Sequence, residues 1–218
     1  MDDNSGSTAP CAGLRIGDAA PDFAARTTAG DIRLSDFRGR WLVLFSHPAD
    51  FTPVCTSEFV ALVRRSHEFD TRNCALMALS VDSLFSHFAW LRMIRDHFDV
   101  EVRFPIIEDP TMVIARGYGM VAPGDSDSAA VRTTFFIDPA GTIRAISCYP
   151  ANVGRSIGEM LRTLDALQAV DDCAALAPAD WQAGEPLLSQ PLAALDDVYA
   201  AEAATEWFYR PGLRRGDK

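Results

Sequence analysis

Apolar and polar residues along this chain alternate in blocks that predict strands and helices in turn. Trp41-Leu42-Val43-Leu44-Phe45 is short and wholly apolar, the pattern of a strand buried on both faces. Ser46-His47-Pro48 breaks it. After a loop, Phe59, Leu62 and Val63 mark the apolar face of a helix. Ala75 to Val81 reads as a second buried strand, and residues 86–98 return to helical spacing with Leu91, Ile94 and Phe98 on one side. Thr133 to Ile137 is β-branched and aromatic, Asp138-Pro139-Ala140-Gly141 predicts a turn, and Thr142 to Ile146 a returning strand. A last helix carries the stripe Ile157, Met160, Leu161, Leu164 and Leu167, with Ser156 and Glu159 at capping-box spacing. Strands alternating with helices, then a hairpin and a closing helix, predict an α/β fold with a central mixed β-sheet flanked by helices.

Residues 1–13 read as a flexible tail and 14–169 as the main domain. From residue 170 the texture changes. Pro178, Pro186, Pro191 and Pro211 interrupt it, while Trp181, Trp207 and Phe208 remain large and apolar. Such a segment is expected to pack on something: a C-terminal arm over the domain or over a partner subunit.

Charge narrows the partners. Among 218 residues the formal net charge is −10, so no nucleic acid partner is expected and no anionic lipid surface. No apolar run is long enough to span a bilayer. The start Met1-Asp2-Asp3-Asn4 is polar and acidic rather than basic and then apolar, so the expected location is cytoplasmic. The five cysteines, Cys11, Cys55, Cys74, Cys148 and Cys173, include no Cys-x-x-Cys pair. That spacing fits neither a disulfide scaffold nor a tetrahedral zinc site; no metal and no cofactor are expected. Cys74 and Cys148 lie in apolar strand contexts and are expected to be buried and silent, Cys11 to be an exposed thiol of the tail. His67, His87 and His97, on helices among charged neighbours, read as solvated.

The chemistry concentrates in His47-Pro48-Ala49-Asp50-Phe51-Thr52-Pro53-Val54-Cys55-Thr56-Ser57-Glu58. A strand stops, a loop leads into a helix near Pro53, and Cys55 falls in its first turn. Unpaired N–H groups and the positive end of the helix dipole favour an anion there, and the thiolate is the reactive form of cysteine. Thr52 brings a hydroxyl that can both accept and donate. Arg132 begins the strand 133–137, which could set its guanidinium beside the strand leading to Cys55. There it would stabilise the thiolate and the charge that grows on a leaving oxygen.

At this point the chain resembles a known family. Pro48-x-x-x-Thr52-x-x-Cys55 matches the peroxiredoxin active-site motif. Gly17-Asp18-x-Ala20-Pro21-Asp22-Phe23, Ser80-Val81-Asp82-Ser83, Arg132-x-Thr134-Phe135-x-Ile137-Asp138 and Tyr149-Pro150-x-x-x-Gly154-Arg155 are similar to its flanking motifs, over about residues 14–210. The arm with Pro178-Ala179-Asp180-Trp181 resembles the one-cysteine subfamily and its archaeal relatives.

The resemblance implies a thioredoxin-like fold and a thiol peroxidase. Its substrates would be hydrogen peroxide and organic hydroperoxides, and its role antioxidant defence and redox homeostasis. Cys55 would be oxidised by peroxide, Thr52 and Arg132 would position it, and Pro48 would shield the sulfur. His47, Val54, Glu58 and Arg155 would line or support the pocket. The resemblance also implies a homodimer, with a larger ring as an alternative, the arm 170–218 serving dimerisation. Two departures stand out. Archaeal relatives carry resolving cysteines near the C-terminus, where this chain reads Ala203-Ala204-Thr205-Glu206-Trp207-Phe208-Tyr209, and Arg40 occupies the place of the lipase serine of some one-cysteine members. Cys173 is then the one internal candidate for a resolving partner. Otherwise an external thiol of thioredoxin, glutaredoxin or glutathione type would restore Cys55. Two rivals are a thioredoxin-like disulfide oxidoreductase, which the missing Cys-x-x-Cys disfavours, and a holdase or redox sensor using the same cysteine.

Overall fold

The computed structural model describes residues 13–121, 131–201, 203 and 205–213. Cys11 and the expected tail, apart from Gly13, lie outside them. The chain divides into two compact units, one ending at Arg155 and the other starting at Ser156.

In the first unit, β1 (Ala24–Thr27) and β2 (Gly30–Arg33) form a hairpin, followed by a 3₁₀ turn at Leu34–Phe37. Then come β3 (Trp41–Ser46), α1 (Pro53–Arg64), α2 (Ser66–Asp70), β4 (Cys74–Ser80), α3 (Leu84–Phe98), β5 (Ile106–Glu108), α4 (Val113–Gly117), β6 (Arg132–Ile137) and β7 (Ile143–Tyr149). The strands make one seven-stranded sheet in the order β2-β1-β5-β4-β3-β6-β7. Its centre, β3-β4-β5, is parallel, and both wings are antiparallel. Parallel strands are covered on both faces, and β3 and β4 are buried at every position. The expected mixed sheet flanked by helices is the observed one.

Alternation along β3 decides which face holds what. Leu42 and Leu44 join Ala75, Met77, Leu79, Ile107, Phe135 and Ile137 in one apolar cluster. Phe45 points to the other face, where its ring meets Phe59 of α1 at 5.9 Å, and Phe59 meets Trp90 of α3 at 4.6 Å. The two helices α1 and α3 therefore cover the face on which the odd-numbered side chains of β3 stand.

The β6–β7 hairpin closes through the expected turn, with the Gly141 N–H donating to the Asp138 carbonyl at 2.8 Å. Gly141 has φ +82°, a left-handed backbone conformation that favours glycine.

Two expectations are corrected. The buried stripe of α3 is His87, Trp90 and Ile94, while Phe98 is 37% exposed. His87 is thus a core residue, not a solvated one; a count of apolar positions passes over it because its polar ring is bonded internally. Cys148 is exposed, because β7 is the edge strand and its side chains are only partly covered. Cys74 is buried as expected, and burial raises its thiol to about 12. The β1–β2 hairpin, β5 and α4 were not expected: β1 and β2 hold one large apolar residue, Ile32, and β5 has three residues.

The second unit contains α5 (Ile157–Cys173), β8 (Leu187–Leu188), α6 (Leu195–Ala200) and β9 (Pro211–Leu213). Ser156 caps α5 by accepting from the Glu159 N–H at 3.2 Å. Glu159 turns to Arg162 at 2.7 and 2.8 Å, so one half of the capping box forms. Trp181 is buried with Ala169, Ala175 and Leu187, and its Nε1–H donates to the Glu185 carbonyl at 3.0 Å. Trp207 and Phe208 touch edge to face but stay 39% and 46% exposed.

Phe59 ties the helical layer to the sheet through contacts with Phe45, Trp90 and Phe104. Phe59→Ala is expected to lower stability by about 3–5 kcal/mol, read as a lower urea midpoint with an unchanged slope; a midpoint within experimental error of wild type would contradict this packing.

Candidate active site

The site begins where β3 ends. The Ser46 hydroxyl donates to the Val131 carbonyl and accepts from the Thr133 N–H at 3.1 Å, fastening the end of β3 to the start of β6. Phe45 pairs with Thr134 across this antiparallel junction. His47 follows β3, its N–H donating to the Leu79 carbonyl at 3.0 Å, and Arg132 opens β6.

Helix α1 starts with Thr52 as N-cap and Pro53 at its first position, so Cys55 sits in the first turn. Thr52 does not cap with its side chain; its hydroxyl donates to the Ala49 carbonyl at 2.9 Å. The first turn consequently keeps its N–H groups uncapped by that hydroxyl. Cys55 is fully buried. Pro48, Thr52 and Val54 are half-buried around it in sequence, and Phe51 takes a left-handed φ of +55° where the loop turns into the helix.

Arg132 Nη1 lies 3.3 Å from Cys55 Sγ and 2.7 Å from Glu58 Oε2. Its Nε and Nη2 donate to the Ala151 carbonyl at 3.1 and 2.7 Å, which fixes the plane of the guanidinium. On its other oxygen Glu58 accepts from the backbone N–H and Nε of Arg155 at 2.7 and 2.9 Å, and Arg155 Nη2 reaches Oε2 at 2.8 Å. Arg155 lies over the Phe45 ring at 4.8 Å. Glu58, Arg132 and Arg155 are all buried. Burial opposes ionisation of Glu58, yet the bonds and charge of Arg155, with the charge of Arg132, hold its carboxyl below the ordinary value. One carboxylate against two guanidiniums leaves one positive charge in a buried space beside the Cys55 sulfur.

A second buried network lies one helical turn away. His47 Nε2 meets Asp50 Oδ1 at 3.1 Å, and His87 Nδ1 meets Asp50 Oδ2 at 2.8 Å. The Asp50 N–H donates to Asp82 at 2.8 Å, as does the Ser80 hydroxyl at 3.1 Å. His47 stacks on Trp90 at 5.3 Å, and Trp90 Nε1–H donates to the Thr56 hydroxyl at 3.1 Å. Burial opposes the ionised form of Asp50, but its bonds to both imidazoles hold its carboxyl well below the usual range. Burial likewise lowers His47, against the opposing pull of Asp50. Donor atoms of His47, Asp50 and Asp82 lie within 4.8 Å of one another. Both Asp50 oxygens are engaged by ring nitrogens, while the opposite nitrogens, His47 Nδ1 and His87 Nε2, are buried without a hydrogen-bond partner.

The structure thus brings together Cys55, Arg132, Glu58 and Arg155 by direct bonds and places Thr52 and Val54 on the same helix start, while His47 is bonded to Asp50 and packs on Phe59 and Trp90. Cys173, the last residue of α5, is half-buried in the second unit. Asp50, His87, Trp90 and the Ala151 carbonyl were not foreseen. Asp50 stands three residues from His47, and His87, Trp90 and Ile94 share helical spacing; a histidine on an apolar stripe needs a buried partner, which was the available signal.

Comparison with known proteins places the chain in a family. The model of the AhpC/TSA family matches residues 16–146. The chain is 51% identical over 177 residues to Peroxiredoxin 2 of Caldanaerobacter subterraneus subsp. tengcongensis, across 81% of this chain and 80% of that one. It is 51% identical over 168 residues to a peroxiredoxin of Aquifex aeolicus, across 77% and 76%. Among solved structures it is similar to a yeast mitochondrial 1-Cys peroxiredoxin, with 40% identity, a TM-score of 0.82 and coverage of 91% and 98%. It is also similar to peroxiredoxin 6 of Arenicola marina, with 30% identity, a TM-score of 0.82 and coverage of 94% and 100%. The chain therefore belongs to the AhpC/TSA family and is a peroxiredoxin, a thiol-dependent peroxidase.

Proposed function

We propose that Cys55 is the atom that peroxide oxidises, with Arg132 and Thr52 as its positioning partners and Glu58 and Arg155 as their support. The observation that carries this reading is the Arg132 Nη1 to Cys55 Sγ distance of 3.3 Å inside a buried carboxylate–diguanidinium cluster. The thiolate attacks a terminal peroxide oxygen. An S–O bond forms, the O–O bond breaks, and its electron pair leaves on the second oxygen, which takes a proton to become water or alcohol. Arg132 and the helix N-terminus face the charge that grows during this transfer.

Cys55 is left as sulfenic acid, the reversible first rung of thiol oxidation. An external thiol attacks that sulfur and releases water; a second thiol cleaves the mixed disulfide and restores Cys55. This one-cysteine cycle is favoured by the C-terminal region Ala203-Ala204-Thr205-Glu206-Trp207-Phe208-Tyr209, which holds no cysteine where archaeal relatives carry resolving ones. The yeast neighbour's resolving mechanism is described as running through glutathione and thioredoxin systems, and a reductant of thioredoxin, glutaredoxin or glutathione type is the corresponding proposal here. We read the working form as a homodimer in which residues 170–218 serve as an arm, and the location as cytoplasmic. Among the described residues no helix is long and apolar enough to cross a membrane.

Cys55→Ser is expected to abolish peroxide turnover, and retained turnover would overturn the assignment. Arg132→Met is expected to slow oxidation of Cys55 by roughly 10²–10³-fold in stopped-flow kinetics. Arg132→Lys would recover only part, because one ammonium cannot serve sulfur, carboxylate and carbonyl together. A wild-type rate in either arginine variant would remove Arg132 from the mechanism.

Glu58 also predicts a pH effect. Its folded carboxyl lies below its unfolded value, so it stabilises the fold above the ordinary glutamate range, and that contribution is lost as pH falls through the folded value. Glu58→Gln should cost about 3–5 kcal/mol at neutral pH and flatten the acid-side decline of the urea midpoint. Parallel pH profiles for the two proteins would contradict this.

A further inference from the structure

Helix α1 starts without a side-chain cap, because the Thr52 hydroxyl donates to the Ala49 carbonyl instead. Pro53 has no N–H, and the Thr56 N–H donates to the Thr52 carbonyl at 3.0 Å. Val54 and Cys55 therefore hold N–H groups with no helical carbonyl to meet. These face out of the helix end, and the Cα–Cβ bond of Cys55 tilts toward the same end. An uncapped first turn frays readily, yet this one has to keep two donors in a fixed direction beside the sulfur.

A different chain of bonds holds the turn. The Thr56 hydroxyl donates to the Thr52 carbonyl at 2.8 Å, so that carbonyl accepts twice from one residue. Trp90 of α3 donates its Nε1–H to the same hydroxyl at 3.1 Å. An indole N–H only donates, so the hydroxyl accepts from it and keeps its single proton for the carbonyl. Thr56 and Trp90 are both buried, where such bonds are stronger than in water. Trp90 is itself packed on Phe59 at 4.6 Å. The N-cap residue is thereby tied to a second helix.

We propose that Thr56 and Trp90 are positioning residues of the peroxidase reaction. Their bonds stand in for the missing cap and hold the first turn of α1, so that the Val54 and Cys55 N–H groups stay aimed at the oxygen that approaches the Cys55 sulfur. This rests on Cys55 as the reacting atom. Neither side chain moves a proton or changes a bond; both act through the backbone of the turn. A donor swung out of line with the growing charge loses most of its stabilising effect, and that is how a bond made at Thr56 reaches the rate at Cys55.

The test uses the full chain and two reactions of Cys55: oxidation by hydrogen peroxide in stopped flow, and alkylation by iodoacetamide followed by mass. Thr56→Val keeps the shape and removes the hydroxyl. It is expected to slow oxidation about tenfold, the scale of one hydrogen bond. Alkylation needs no oriented oxygen and is expected to change much less. Thr56→Ser restores the hydroxyl and should restore the rate. Trp90→Phe removes the indole N–H and keeps an aromatic ring; it should slow oxidation in the same sense. The double variant should be no slower than the slower single, because both changes cut one chain of bonds. A wild-type oxidation rate in Thr56→Val, a failure of Thr56→Ser to recover it, or losses that multiply in the double variant overturns the proposal. So does a fall in alkylation as large as the fall in oxidation, the mark of a general structural loss. In the wild-type protein, NMR should show a nuclear Overhauser contact between the Trp90 indole proton and the Thr56 side chain; its absence overturns the tie without any variant. Cys55→Ser is read separately: retained turnover there overturns the Cys55 assignment, whatever the Thr56 and Trp90 variants do.

Discussion

The site depends on one buried carboxylate held between two guanidiniums. Burying Glu58 is costly, and either arginine alone would be too; together they bond every oxygen of the carboxylate and still leave one positive charge. That residual charge is what faces the Cys55 sulfur at 3.3 Å. In the low-dielectric interior an unbalanced charge is far more expensive than at the surface, so negative charge developing at Cys55 is favoured there.

Everything else in the fold serves to bring those charges together. Glu58 follows Cys55 by one helical step on α1, Arg132 opens β6, and Arg155 follows β7. The Ser46 bonds to Val131 and Thr133 fasten the end of β3 to the start of β6 on either side of Arg132, and the Ala151 carbonyl locks the guanidinium plane. On the far side of the same loop, Asp50 pins His47 and α3 through His87. The loop 47–52 is therefore tied at both ends, and the strained φ at Phe51 is held within it.

Much of this was legible in the sequence, for physical reasons. The central strands could be read because burial on both faces leaves an apolar run that no polar residue interrupts, as in Trp41 to Phe45. The hairpin could be read because Asp138-Pro139-Ala140-Gly141 demands a turn with a left-handed glycine. Cys55, Thr52, Glu58, Arg132 and Arg155 could be singled out because the motif spacing marks a helix start and the flanking motifs resemble a family. What stayed hidden were contacts between polar residues far apart in sequence: His87 looked solvated because its partner, Asp50, lies on another element, and Cys148 looked buried because nothing in the local pattern tells an edge strand from a central one. The β1–β2 hairpin was silent because pairing through the backbone needs little apolar signal.

The most direct test of the central claim is intact mass after one equivalent of hydrogen peroxide, with and without a sulfenic-acid trap, followed by peptide mapping. The account predicts one trap adduct, on Cys55, and no disulfide. An unmodified Cys55, with peroxide consumed at another residue, would contradict it.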